Sequence, residues 1–278
     1  MATAPKGLTF LAGVFATCAV GIAFDQAPPV APPTTPSAAD GSAAPIATHP
    51  LSAQCSVPAN EIASPAPLPT LINRLENQQP LRILAIGSSS TWGVGATSNR
   101  KNYPSQLESM LERVLKGVPI EMINRGVSGE TAGTTADRLR MEAALIKPDI
   151  VLWQVGTNDA VQRVSVEQFE RTVSRTVAVL KRKKIDVVLV GLQYTPKFAR
   201  DEHYFAIREA LKRVAMEQNV LYVRRYQAME YIAKTKASMQ MMADDDFHLN
   251  DVGYQCMAEH IAQAVTANIF VRRRKPAS

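Results

Sequence analysis

Residues 81–96 read LRILAIGSSSTWGVGA: an apolar run closes on Gly87 and passes into three serines, a threonine and two more glycines. The run Leu81–Ile86 is nearly continuous in apolar residues, which predicts a strand buried on both faces. Further short apolar runs follow at Ile120–Asn124, Ile150–Val155, Val187–Leu192 and, more weakly, Val220–Val223. Between them lie amphipathic stretches of helical period: Tyr103–Leu115, Ala136–Ile146, Val166–Arg182 and His203–Gln218. A last one covers about Asp251 to Phe270. This alternation predicts an α/β fold, a three-layer α/β/α sandwich whose right-handed βαβ crossovers cover both faces of a parallel sheet. Ligands of such sheets bind beyond the carboxyl ends of the strands. The polar motifs of this chain stand there: GSSST after the first strand, RGVSGET after the second, GTND after the third.

The turn after Ile86 admits several chemistries, and its composition removes most of them. A phosphate-binding P-loop needs a lysine after its second glycine, and Gly87–Gly95 contains none. A dinucleotide fingerprint needs a third glycine where Ser98 stands. The G-x-S-x-G elbow fails because Thr91 replaces its second glycine. What remains is a serine, Ser89, mounted just past a strand-ending glycine. A serine alcohol needs an adjacent base, and the base needs an orienting acceptor. ADDDFHLN, near the C-terminus, offers His248 as base and Asp245, three residues earlier, as orienter. Alone, such a pair reads more readily as a solvated turn. His49, His203 and His260 lack an acidic neighbour at that spacing. Acyl transfer also needs donors for a developing oxyanion. Gly129 can offer a backbone N–H and Asn158 a side-chain amide, although each also reads as an ordinary turn glycine or helix cap.

These four segments, in this order, resemble the SGNH/GDSL hydrolase family: GSSST with Ser89, NRGVSGET with Gly129, VGTND with Asn158, and DDDFH with Asp245 and His248. The resemblance covers roughly residues 80 to 270. It implies a flavodoxin-like sheet and a serine esterase. Ser89 would be the nucleophile, with its own amide, Gly129 and Asn158 as oxyanion hole and His248 with Asp245 as base and orienter. The family's first block usually reads G-D-S, and here Ser88 stands in place of that aspartate. Trp92 and Tyr194 are candidates for the substrate pocket, Gln193–Pro196 after the fourth strand for a wall of the cleft, and Pro196–Asp201 for its rim.

The chain has 278 residues, 20% of them charged, and a formal net charge of +6. Much of the excess sits in two runs, Lys181–Lys184 at a predicted helix end, where cations suit the dipole, and Arg272–Lys275 in the tail. No aromatic residues interleave with them, so a nucleic-acid partner is not expected. No H-E-x-x-H motif or paired cysteine spacing points to a metal, and the proposed chemistry calls for no cofactor. Residues 1–25, with Lys6 ahead of the uncharged stretch Leu8–Phe24, read as a signal sequence or membrane anchor. The expected location is therefore periplasmic or extracellular, with membrane association through that segment. Residues 26–69, dense in Pro, Ala, Ser and Thr, read as a disordered linker, which leaves 70–278 as the catalytic domain. Cys55 and Cys256 either pair in an oxidising compartment, or Cys256 is a small buried hydrophobe. The expected substrate is a small-molecule or polysaccharide ester. A longer-chain lipid or thioester, and a silent binding domain, remain as alternatives.

Overall fold

The computed structural model describes residues 49–273. The signal or anchor reading of 1–25, residues 26–48 of the linker reading, and Arg274 and Lys275 lie outside the described residues. In chain order the elements are α1 (Ala59–Ile62), β1 (Ala63–Ser64), α2 (Pro69–Glu76), β2 (Leu81–Gly87), α3 (Ser89–Trp92), α4 (Tyr103–Val114), β3 (Ile120–Gly126) and α5 (Ala132–Ile146). There follow β4 (Ile150–Gln154), α6 (Thr157–Val161), α7 (Val166–Arg182), β5 (Asp186–Val190), α8 (Glu202–Glu217), β6 (Leu221–Val223), α9 (Arg225–Thr235) and α10 (Asp251–Arg273). No described helix is long and apolar enough to cross a membrane.

The sheet order is β1-β6-β5-β4-β2-β3, parallel throughout except for β1, which pairs antiparallel with β6. The five parallel strands thus have the flavodoxin-like order, and strand order reverses around β2. Alternation along each strand feeds two separate cores. Ile83, Ala85, Leu152 and Val190 pack with α4 and α10 on one face. Leu84, Ile86, Trp153 and Leu189 pack with α5, α7 and α8 on the other. Burial of both faces accounts for the unbroken apolar runs.

The domain boundary expected at Thr70 needs correction. Cys55, Val57, Ile62, Ala66 and Leu68 are buried in the α4/α10 core. Cys55 forms a disulfide with Cys256 on α10 (Cα–Cα 4.9 Å), and its carbonyl accepts from Nε2 of the buried His260 at 2.7 Å. Lys236 Nζ donates to the carbonyls of Ala53, Gln54 and Ser56. Composition failed here because it averages over the segment. A few apolar anchors set among prolines can dock singly on a finished core without any period of their own.

Candidate active site

The nucleophile turn is built from β2 outward. Ser88 follows the end of β2, and Ser89 opens the single turn of α3. The buried side chain of Gln154, the last residue of β4, holds this turn from below. Its Oε1 accepts from the Ser88 N–H (3.0 Å), the Ser88 hydroxyl (3.0 Å) and the Thr91 hydroxyl (3.3 Å). Ser88, where the family usually has aspartate, is therefore a donor to a neutral amide. From the side, Asn124 Nδ2 donates to the Thr91 carbonyl at 2.7 Å. Gly126 lets the end of β3 abut α3: a Cβ there would lie 2.1 Å from the Trp92 nitrogen.

The second component is the loop before α10. Ala243 N–H donates to the His248 carbonyl (2.8 Å) and closes the loop on itself. Inside it, Asp245 Oδ1 accepts the N–H groups of Phe247 (3.0 Å) and His248 (2.8 Å), while Oδ2 lies 2.5 Å from His248 Nδ1. His248 Nε2 lies 3.1 Å from Ser89 Oγ. Desolvation is the largest single influence on the Asp245 carboxyl and raises its pKa. The hydrogen bonds from the His248 ring and the two backbone amides outweigh it and bring the pKa down to about 2. An ionised Asp245 assigns the proton of the neutral imidazole to Nδ1 and leaves Nε2 free to accept from Ser89.

The third component joins the ends of β3 and β4. Gly129 has φ +83°, in the left-handed region that favours glycine. Side chains of α6 hold the loop that carries it. Asn158 Nδ2 donates to the Glu130 carbonyl (2.8 Å), Gln162 Nε2 to the Gly129 carbonyl (3.1 Å), and Asp159 Oδ1 accepts the Ala132 N–H (2.8 Å). The backbone amides of Ser89 and Gly129 have no protein acceptor among the described residues. Burial pushes the Asp159 carboxyl up to about 6 against its backbone hydrogen bonds.

Ser89, His248 and Asp245 thus stand in one hydrogen-bonded row, and Asn158 is brought to the Gly129 loop, all beyond the carboxyl ends of the strands. Trp92 is 61% exposed on the same helical turn as Ser89. Tyr194 is half-buried and meets Tyr226 edge-on at 5.4 Å. Asp201, at the end of the expected rim, is held by a bidentate pair with Arg163 (both 2.7 Å). Gln154, Asp159 and Arg225 escaped the sequence reading, and Gln193, expected as part of a cleft wall, is instead a buried anchor. Only Asp159 carried a local signal, as the last letter of GTND. A cavity of about 920 Å³ lies elsewhere, at the amino ends of β4–β6, where Lys147, Lys181, Lys183 and Lys184 line it near helix C-termini. Lysines in those places suit the helix dipoles, and none of the residues just described lines that cavity.

A family model matches residues 54–270, most of the chain. The chain belongs to the Non-GDSL lipase-like family. It is 24% identical over 194 residues to an arylesterase of Vibrio mimicus, a match that covers 69% of this chain and 92% of the relative. Its fold is similar to a two-domain esterase active on acetylated mannans (TM-score 0.65, 20% identity, 80% of this chain). The match spans 58% of that esterase's length. It is also similar to a variant of an acetyl xylan esterase from Geobacillus stearothermophilus (TM-score 0.57, 22% identity, 69% of this chain, 96% of the other). The family match starts at residue 54, inside the segment whose composition reads as a linker and whose anchors pack in the core.

Proposed function

We propose that this non-GDSL lipase-like protein is an exported serine esterase that removes small acyl groups, acetyl above all, from carbohydrate. The observation that carries the reading is the row Ser89 Oγ–His248 Nε2 at 3.1 Å with His248 Nδ1 on Asp245. In the proposed reaction Ser89 Oγ attacks the ester carbonyl carbon as its proton passes to His248 Nε2. The carbonyl oxygen becomes an oxyanion that accepts from the Ser89 and Gly129 amides and an Asn158 Nδ2 hydrogen. Collapse breaks the bond to the alcohol oxygen, which leaves with the proton from His248, and an acyl-Ser89 ester remains. Water then attacks that ester, giving its proton to His248. Collapse releases the acid and returns the proton to Ser89. Ionised Asp245 stabilises the imidazolium in both halves.

Two features support a small acyl group on a large alcohol. Ser128, Gly129, Asp244 and Asp245 around Ser89 are exposed, an open and polar setting that suits a polymer better than it would shelter a long alkyl chain. Trp92 presents an apolar ring to solvent beside the nucleophile. Acetylated mannan and xylan are named for the similar folds. Export is supported by the apolar stretch Leu8–Phe24 and by the Cys55–Cys256 disulfide, since such bonds persist in oxidising compartments. The test is hydrolysis of p-nitrophenyl acetate, butyrate and octanoate, and of acetylated xylan, by the full chain beside Ser89→Ala. Activity should peak at acetate and fall at least about a thousandfold in kcat with Ser89→Ala. An octanoate optimum would move the substrate to lipids. Equal rates in both proteins would remove Ser89 from the chemistry.

A further inference from the structure

Arg225 opens α9 in the run VRRYQ, where it reads as one more surface cation. The structure instead buries it, at 2% exposure, and gives it no carboxylate. Its Nε and Nη1 have no protein acceptor among the described residues, and both of its hydrogen bonds come from Nη2. The charged form is disfavoured by that burial, while Tyr254, Tyr204 and Tyr103 nearby act in the opposite sense. Burying a guanidinium without a carboxylate is among the costliest placements of a side chain, and a surface arginine would avoid that cost.

The two hydrogen bonds of Arg225 run to opposite sides of the site. Nη2 donates to Ser90 Oγ (3.1 Å), the residue after the nucleophile, and to Gln193 Oε1 (2.8 Å), just beyond β5. Gln193 is itself 1% exposed. Its Nε2 donates to the carbonyl of Phe247 (2.7 Å), the residue before His248, and its own carbonyl accepts from the Tyr204 hydroxyl (2.6 Å). One buried chain of groups thus runs Ser90–Arg225–Gln193–Phe247. It spans the same gap as the Ser89–His248 hydrogen bond, whose partners are 159 residues apart in sequence. Ser89 and His248 lie on separate segments, a short turn and a loop. Beyond them Thr97 donates to the Asp251 carboxylate (2.8 and 2.7 Å) and the Tyr254 hydroxyl to the Val94 carbonyl (2.6 Å). The buried chain, in which Ser90 Oγ also donates to Gln193 Oε1 at 3.5 Å, is thus the fastening next to the reacting pair itself.

We propose that Arg225, relayed by Gln193, is the positioning residue that holds the nucleophile turn and the His248 loop at hydrogen-bonding distance. The inference rests on Ser89 and His248 being the catalytic pair. A misplacement of reacting groups by about 1 Å can cost on the order of a hundredfold in rate. The loss should fall on kcat, because neither residue lies against the open surface where a substrate would bind.

The experiment compares full-length wild type, Arg225→Met, Arg225→Lys and Gln193→Met on p-nitrophenyl acetate. Rates are normalised to active sites titrated with a fluorophosphonate, and folding is checked by thermal melting. In Gln193→Met and Arg225→Met, kcat should drop about a hundredfold with KM changed less than about threefold. Arg225→Lys, whose ammonium can offer hydrogens to both oxygens, should recover part of the loss. The low-field proton resonance of the His248–Asp245 hydrogen bond should shift in the Met variants. Wild-type kcat per titrated site in a folded Gln193→Met would overturn the proposal, as would a loss confined to KM. Gln193→Met decides the matter if Arg225→Met does not fold. Ser89→Ala with wild-type activity would overturn the esterase reading itself. Ser89-dependent turnover indifferent to both positions would overturn only this inference.

Discussion

The two ends of the sheet handle buried polar groups in opposite ways. At the amino end carboxylates bind structure together. Asp149 Oδ2 accepts the Arg82 N–H (2.9 Å) and Oδ1 accepts from Arg74 Nε (2.8 Å), which ties β2, β4 and α2. Asp186 on β5 accepts the Leu71 N–H (2.8 Å) near the start of α2. At the carboxyl end the buried anchors are mostly neutral amides and hydroxyls, Gln154, Ser88, Thr91 and Gln193, with Arg225 and Asp159 the two ionisable groups among them. There the amides of Ser89 and Gly129 are left without protein acceptors. One end completes its hydrogen bonds within the fold, and the other keeps donors free for a reacting oxygen. In parallel α/β sheets the carboxyl end is the one that meets ligand.

That contrast breaks most sharply at Asp149. Asp149→Ala strips the Arg82 amide of its acceptor and leaves the partly exposed Arg74 with Gln79 alone, which should destabilise the fold by about 2 kcal/mol. Residual kcat per folded molecule should stay within about twofold of wild type, because the change lies at the far end of the strands. Denaturant unfolding and p-nitrophenyl acetate kinetics on the same preparation test both halves. A large loss of kcat in the folded fraction would show that the two ends are coupled.

The strands and the amino-end packing were legible for one reason, and the carboxyl-end anchors were obscure for another. Leu81–Ile86 and Ile150–Val155 are buried on both faces, so burial is written into consecutive letters. Val166–Arg182 agrees residue for residue with α7 because its apolar stripe faces a single core. That Ser89, Asp245 and His248 meet, and Asn158 the Gly129 loop, could be expected because each lies in a compact block just after a strand or before a helix. Arg225 was not legible, and Gln193 could be read only as part of a cleft wall and not as an anchor, since their partners are 135 and 54 residues away. The segment 49–69 failed for a related reason. Cys55, Ile62 and Leu68 dock on α4 and α10, elements that composition cannot foresee, and β1 spans two residues, too few to show alternation.

Asp159 sharpens the comparison, because it is a carboxylate at the end whose anchors, Arg225 apart, are otherwise neutral. Its folded pKa, about 6, lies above that of an unfolded aspartate. Between about pH 4 and 6 the native state therefore holds more protons than the unfolded one. Stability from this group is full below the unfolded value and is lost as pH rises through the folded value. His49 and His260, both lowered by burial, act in the opposite sense over part of that range. The measure is therefore the difference between wild type and Asp159→Asn, in which Oδ1 still accepts from Ala132. Relative to wild type, the variant should gain on the order of 3 kcal/mol between pH 4 and pH 7. A flat difference across that range would mean that Asp159 is ionised at little cost, and the carboxyl end would no longer be set apart by neutral anchors.

The smallest effect is expected at Trp92, and it tests what the open end is for. A side chain 61% exposed contributes little to the core, so Trp92→Ala should leave stability within about 0.5 kcal/mol. Stacking of a sugar ring on the indole would remove roughly 50 Å² of apolar surface from water, worth about 1.2 kcal/mol. That corresponds to a rise of about eightfold in KM for acetylated xylan. Hydrolysis of p-nitrophenyl acetate, which carries no sugar ring to stack, should change less than about twofold. Equal KM values for the polymer in both proteins would deny Trp92 a part in binding. A parallel loss on the small ester would mean instead that the indole steadies the α3 turn, placing it with Gln154 and Asn124 among the groups that support Ser89.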